Sequence, residues 1–195
     1  MENKISLYEV YNILINLSAE KNAICSDYAK KLAYDLDLEV VLFKKINNVA
    51  KKEVTLYVKS KDDIVNDFFW RELTIVQKDN GFISKSPNAY LELNLLNANI
   101  HLQQLFKKLE AINDYLNFNT IKLVDTTKSC NIILSRDSIK IRRNNGSFII
   151  KPLDFYKNNN IENKDNLEDL LKSIYVYKTD IPEWILKRCA LENAI

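Results

Sequence analysis

Residues 121–151, IKLVDTTKSCNIILSRDSIKIRRNNGSFIIK, contain four short runs rich in Ile, Val and Leu that are separated by polar residues. Such runs, bounded by Asn, Asp, Ser and Gly, are typical of antiparallel strands. The predicted strands are residues 121–124, 131–134, 138–142 and 148–151. Asn144, Asn145, Gly146 and Ser147 supply the Asn-Gly chemistry of a type I′ hairpin turn. The stretch therefore predicts an antiparallel meander of three or four strands.

Helical patterns flank this meander on both sides. Residues 100–116 repeat apolar side chains at three- and four-residue steps, and this is the longest helix that we expect. The polar segment 157–166 is predicted to be a solvated loop. Asn166 can cap the helix that follows, and Pro182 can begin a last one.

The N-terminal third predicts two short helices and a hairpin. Residues 5–17 have helical spacing, and Ser6 stands three residues before Glu9, as in a capping box. A second helix, residues 26–36, begins at Ser26 as its N-cap. Residues 40–43 and 54–58 then predict two strands joined by a basic turn. Further on, residues 62–73 predict a helix and residues 89–93 a strand.

The predicted fold class is α+β. It comprises an N-terminal helix-helix-β-hairpin module that is winged-helix-like, then a long helix packed on a small antiparallel sheet, closed by C-terminal helices. We place a domain boundary between Asp79 and Asn88, which separates residues 1–79 from residues 88–195. The alternative is one compact unit.

Composition excludes several classes of site. The chain has 195 residues, and 28 Lys and Arg against 26 Asp and Glu leave a formal charge of only +2. Two glycines are too few for a Walker A or Rossmann phosphate loop. The single histidine, His101, supports neither a hydrolytic triad nor a histidine metal site, and a structural role is expected for it. We therefore expect a non-enzymatic protein without metal or cofactor.

The cysteines and the N-terminus predict a cytoplasmic protein. Cys25, Cys130 and Cys189 are widely spaced and odd in number, so neither a disulfide framework nor a cysteine zinc site is indicated. The first 17 residues lack the features of a signal peptide, and no run of 18 apolar residues occurs. A membrane partner is not expected.

Clustered cations are the most informative functional pattern, because they can reach phosphates when they lie on one hairpin. The first cluster is Lys44, Lys45, Lys51 and Lys52. The second lies between Lys122 and Lys157, where eight cations face three acids, Asp125, Asp137 and Asp154. Within it, Lys140 and Arg142 share one strand face, Ile139 and Ile141 the other, and Arg143 adjoins the turn. The alternative is an ordinary solvated strand face.

Two weaker patterns remain. Asp154, Glu162 and Lys164 follow the pattern of a metal-dependent nuclease, two acids and then a lysine two residues after the second. In such a site the acids hold a metal and the lysine neutralises phosphate charge. Trp184, Tyr175 and Tyr177 could form an exposed patch for a protein partner.

The segments ISLYEVYNIL and SDYAKKLAYDLDLEVVLF, within residues 4–60, resemble the opening of uncharacterised bacterial proteins carried by prophages and genomic islands. Those openings in turn resemble the winged helix-turn-helix of excisionases and MerR-type regulators, with Asp37 where the pattern has a glycine turn. The resemblance implies a recognition helix over residues 26–36, bearing Lys30 and Lys31. It also implies a wing over residues 44–52 whose four lysines contact phosphates.

The leading functional hypothesis is a non-enzymatic DNA-binding accessory or regulatory protein of a mobile genetic element. It would use the wing and the strand that bears Lys140, Arg142 and Arg143. The first alternative is a phage or island protein that docks on a host protein and inhibits it. The second is a metal-dependent nuclease. The sequence leaves the oligomeric state open.

Overall fold

The computed structural model describes residues 3–61, 70–79, 81–85, 95–136, 138–150 and 161–194. The chain forms two compact units. Unit 1 combines Met1–Ser18 with Asn117–Ile195, and unit 2 is Ala19–Leu116. Helices and small antiparallel sheets occur together, which confirms the α+β class. The predicted boundary between Asp79 and Asn88, a region described at Asp79 and Gly81–Lys85, stays a prediction.

The N-terminal region is one long helix where two were predicted. A short strand, β1 (Lys4–Ser6), leads into α1 (Leu7–Asp35), which runs for 29 residues without a break. The prediction of a helix-turn-helix is wrong, and Ser26 lies inside the helix. The physical reason is the segment 18–25, SAEKNAIC, which contains neither Gly nor Pro and carries good helix formers. The helix ends at Asp35, and Asp37 takes the left-handed conformation (φ 53°) common after helices.

The capping box at the start of α1 is confirmed. The Glu9 backbone N–H donates to Ser6 Oγ (3.3 Å), and the Ser6 backbone N–H donates to Glu9 Oε2 (3.1 Å). Two N–H groups that a helix start leaves without partners are thereby satisfied.

Unit 2 contains a four-stranded antiparallel sheet in chain order. Its strands are β2 (Leu38–Asn48), β3 (Glu53–Ser60), β4 (Arg71–Lys78) and β5 (Gly81–Lys85). The predicted hairpin is confirmed as β2 and β3, with longer strands. The predicted helix over residues 62–73 lies outside the described residues up to residue 69, and its last three residues belong to β4. The predicted strand 89–93 also lies outside them.

The predicted long helix of residues 100–116 is two pieces, α2 (Asn99–Glu110) and α3 (Asn113–Asn117), so α1 is the longer helix. Between them the Ile112 N–H donates to Leu109 O (3.2 Å), a three-residue bond that tightens the chain and ends α2. The predicted inner face of α2 is buried, and its Phe106 stacks on Phe82 of β5 at 5.9 Å.

Unit 1 contains the predicted meander as a four-stranded antiparallel sheet in chain order. Its strands are β6 (Ile121–Val124), β7 (Cys130–Leu134), β8 (Ile139–Arg143) and β9 (Gly146–Ile150). Arg143 pairs with Gly146, so Asn144 and Asn145 form the centre of the turn. The positive φ of this turn falls at Gly146 (147°), and the predicted type I′ Asn-Gly turn is therefore wrong.

The C-terminal part of unit 1 contains α4 (Ile161–Ser173), β10 (Tyr175–Tyr177), a 3₁₀ turn (Lys178–Asp180) and α5 (Glu183–Glu192). Residues 161–166 were predicted to be loop but are helical, and Asn166 lies inside α4, not at its N-cap. Pro182 precedes α5 as predicted. Strand β10 pairs with β1, which ties the two ends of the described chain together.

Candidate functional site

One face of the sheet β6 to β9 is exposed and carries three of the eight cations of the second cluster. Buried and exposed residues alternate along β6, β7 and β8. The inward side chains are aliphatic, apart from that of Cys130, and form part of the core of unit 1. The outward residues, which we call the outer face, are Lys122, Val124, Asn131, Ile133, Lys140, Arg142, Ser147 and Ile149.

Strand register arranges the outer face in two rows. Lys122 pairs with Ile133, Ile133 with Lys140, and Lys140 with Ile149. Lys122 and Lys140 are thus two strands apart, about 10 Å between backbones. Lys140 and Arg142 are two residues apart on β8, about 7 Å. Three cations are therefore gathered on one surface.

The second row contains polar residues and one aliphatic residue. Val124 pairs with Asn131, Asn131 with Arg142, and Arg142 with Ser147. An open depression of about 450 Å³ lies over β6, β7 and β8, and Lys122, Lys140 and Arg142 all line it. The cations therefore border a shared concave surface in place of separate solvated patches.

The described acids do not pair with the cations of the outer face. Among the described residues, no carboxylate lies within ion-pair distance of Lys122, Lys140 or Arg142. Asp125, which follows β6 and lies three residues after Lys122, is only 7% exposed. Its carboxylate is turned into the β6–β7 loop.

Asp125 is held by the loop that it precedes. Oδ1 accepts the Ser129 backbone N–H (2.7 Å), and Oδ2 accepts the hydroxyl groups of Thr127 (2.8 Å) and Ser129 (2.6 Å). Burial alone would raise the pKa of this carboxyl, but hydrogen bonds from Ser129, Thr127 and Cys130 outweigh it and lower the pKa to about 2. Both carboxylate oxygens are hydrogen-bonded within the β6–β7 loop, and Asp125 makes no ion pair with the cations of the outer face.

The prediction that Lys140 and Arg142 share a face opposite Ile139 and Ile141 is confirmed by the burial of the two isoleucines. Arg143 is exposed and sits at the end of β8, beside the turn. Its role, like that of Lys140 and Arg142, remains a prediction.

The wing cations are less available than the sequence predicts. Lys44 Nζ donates to Glu72 Oε2 (2.5 Å) and lies 5.0 Å from the centre of the Tyr57 ring. Lys52 Nζ donates to Gln103 Oε1 (2.9 Å). Lys45 and Lys51 are exposed, and no ion pair to them occurs within the described part of the chain.

The lysines of the predicted recognition helix lie on the continuous helix α1. Lys31 Nζ donates to Asp27 Oδ2 (2.9 Å) and lies 4.6 Å from the centre of the Tyr28 ring. Lys30 is exposed. Because no turn precedes residues 26–36, they do not form the separate helix that the resemblance implies.

The aromatic residues near the C-terminus are only partly exposed as a group. Tyr175 and Tyr177 are 48% and 40% exposed. Trp184 packs against Phe118 with ring centres 5.6 Å apart. The predicted patch is therefore reduced to the two tyrosines.

The nuclease hypothesis is not tested by the described residues. Asp154 lies outside them, and only the backbone of Glu162 and Lys164 is described, within α4. In the part of the chain with described side chains, no three His, Cys, Asp or Glu residues converge as a metal site. No described helix is long and apolar enough to cross a membrane.

Sequence reasoning named Lys122 in the cluster but not as a site residue, and it missed Val124, Ile133 and Ile149. The alternation IKLV in β6 was the available signal, since it turns Lys122 to the side opposite Ile121 and Leu123. Placing Lys122 beside Lys140 also requires the register of β7 between them.

Comparison of the chain with protein-family models, curated proteins and solved structures finds no match.

Proposed function

We propose that this protein is a non-enzymatic DNA-binding protein that holds the phosphate backbone against the outer face. The observation that supports the proposal most is the gathering of Lys122, Lys140 and Arg142 on one exposed surface with no described carboxylate beside them. A polyanion with regularly repeated charges can engage all three cations at once, and a small anion cannot.

The chemistry of the outer face favours duplex DNA over a single strand. Proteins that bind single strands without sequence preference stack bases on aromatic side chains. The outer face as described carries Val124, Ile133 and Ile149 at its apolar positions and no aromatic residue. Contacts to phosphates from Lys and Arg fix position on a duplex without reading its sequence.

The test is fluorescence anisotropy with a labelled 24-base-pair duplex at several salt concentrations. The three contacts of the outer face alone predict that log K falls with log salt concentration with a slope of about −2.7, and any further phosphate contact would make the slope steeper. The triple variant Lys122→Glu, Lys140→Glu, Arg142→Glu is expected to lose binding, by at least 100-fold.

A matched control variant carries the same change of charge elsewhere. Lys30→Glu, Lys45→Glu, Lys51→Glu reverses three exposed lysines of the predicted recognition helix and wing. We expect its affinity to stay within about threefold of the wild type. Loss of binding in this variant, with retention in the outer-face variant, would overturn the proposal in favour of the wing.

A protein partner is the second candidate, because three exposed aliphatic side chains lie among the cations. Ile149 is 59% exposed, Val124 43% and Ile133 37%. An acidic protein segment with aliphatic side chains would complement both features. A pull-down from nuclease-treated lysate that depends on Ile133 and Ile149, together with no binding to the duplex at 50 mM salt, would favour this candidate.

A further inference from the structure

The loops at one end of the sheet β6 to β9 form a second depression, separate from the outer face. Cys130 pairs with Arg143, so the β6–β7 loop and the β8–β9 turn lie at the same end of the sheet. Between them is an open depression of about 350 Å³, lined by Ser129, Arg143, Asn144 and Asn145. We call it the end pocket.

The end pocket is rich in hydrogen-bond donors and contains a cation. The Arg143 guanidinium offers five N–H donors in a planar fork that matches phosphate geometry, and each asparagine amide offers two more. Arg143 also lies beside the Cys130 side chain: burial and the neighbouring Asp125 raise the pKa of that thiol, and Arg143 opposes the rise. The guanidinium is thus placed next to Cys130, at the end of β7 and β8 that borders the end pocket.

The acid that could compete with an anionic ligand is already engaged. Both Asp125 oxygens accept hydrogen bonds within the loop, and the Ser129 hydroxyl is one of the donors. Ser129 therefore shapes the end pocket without offering its hydroxyl hydrogen to a ligand. The donors left for an anion are the amides of Asn144 and Asn145 and the Arg143 N–H groups that do not face Cys130.

We infer that the end pocket binds a phosphate group, with Arg143 as the charged contact and the two asparagine amides as neutral donors. This inference rests on the proposed function in one respect, namely that the phosphate in the bound state belongs to DNA held on the outer face. Binding of free phosphate by the end pocket does not depend on it.

The experiment is an NMR titration of the full chain with inorganic phosphate, with sodium chloride at the same ionic strength as the reference. We expect saturable shifts of the Asn144 and Asn145 side-chain amides and of the Arg143 Nε–H, with a dissociation constant in the millimolar range. The variant Arg143→Gln is expected to weaken binding at least tenfold. The variant Lys107→Gln, which removes an exposed cation of α2 that has no part in either surface, is expected to keep it within twofold.

A second measurement uses the 24-base-pair duplex. Arg143→Gln should lower affinity by threefold to tenfold and make the salt slope shallower by about one contact. Phosphate shifts that do not saturate by 20 mM, or that persist in Arg143→Gln, would overturn the inference. Saturable phosphate binding in a protein that does not bind the duplex would leave the end pocket standing and reject the proposed function.

Discussion

Nδ1 of His101 lies 2.5 Å from Oδ2 of Asp35, which joins α2 to the last turn of α1 within unit 2. The Asp35 side chain is only 9% exposed. The Tyr28 ring meets the imidazole edge-on, with ring centres 6.5 Å apart. The single histidine of the chain therefore has a packing and hydrogen-bonding partner in the structure, in keeping with the role expected for it.

Removing this contact should destabilise the protein. We expect Asp35→Ala to lower the free energy of unfolding by about 2 kcal/mol, because the imidazole loses a largely buried acceptor. Asp35→Asn retains an oxygen acceptor and should cost less. Urea unfolding followed by circular dichroism measures both. Glu110→Ala, an exposed carboxylate on α2, is the control, and an equal loss in the control would contradict a specific role for the pair.

Two serines distinguish one helix from two. Ser6 caps α1, so Ser6→Ala should cost about 1 kcal/mol. Ser26 was the predicted cap of a second helix but lies inside α1, where Ala is the better helix former. Ser26→Ala should therefore leave the free energy of unfolding unchanged or raise it slightly. A loss of about 1 kcal/mol in Ser26→Ala would show that a helix begins there.

Acid should destabilise the protein through Asp125. The pKa of this carboxyl is about 2 in the folded chain, below its ordinary value of 3.8. A lowered pKa in the folded state means that the ionised carboxylate stabilises the fold above about pH 4, and that this contribution is lost as the pH falls towards 2. The shift corresponds to on the order of 2 kcal/mol.

The variant Asp125→Asn isolates this contribution, because other carboxyl groups titrate in both proteins. We expect the variant to be less stable by about 1 to 2 kcal/mol at pH 6, and the difference to shrink as the pH falls towards 2. Urea unfolding at pH 6, 4 and 2.5 measures it. A difference that does not change with pH would show that the carboxylate charge is not the cause.

The two glycines offer a matched pair for the β8–β9 turn. Gly146 has a φ of 147°, a conformation that side chains disfavour, although a Cβ there would meet open space. Gly146→Ala should therefore cost about 1 kcal/mol by backbone strain alone. Gly81 also has open space around it, and its φ is not in the positive region that side chains disfavour. Gly81→Ala should be neutral in the same thermal unfolding measurement, and an equal loss in both would point to flexibility, not strain.

Local patterns predicted much of the fold. The alternation along β6, β7 and β8, the Ser6 and Glu9 capping box and the start of α5 after Pro182 each depend on neighbours within a few residues, and all are present. The two-helix prediction failed because Ser26 followed by an acid looks like an N-cap from sequence alone. An N-cap residue predicts the start of a new helix only where a helix breaker, such as Gly or Pro, precedes it.

The candidate site was less predictable, because the ion pairs and hydrogen bonds of a lysine depend on residues that are distant in sequence. Lys44 meets Glu72, 28 residues away, and Lys52 meets Gln103, 51 residues away. The sequence therefore ranked the wing lysines as highly as Lys140 and Arg142. The position of Lys122 beside Lys140 required the register of three strands, which alternation within one strand does not supply.

The pairing of β1 with β10 bears on how the polypeptide matures during translation. Lys4 and its strand partner Tyr177 are separated by more than 170 residues of chain. Residues 19–116, which lie between the two strands, can complete their own contacts while synthesis continues, whereas β1 must wait until β10 has been made. Such non-local closure is slow, so the pairing of β1 with β10 should be a late step towards the native state of unit 1.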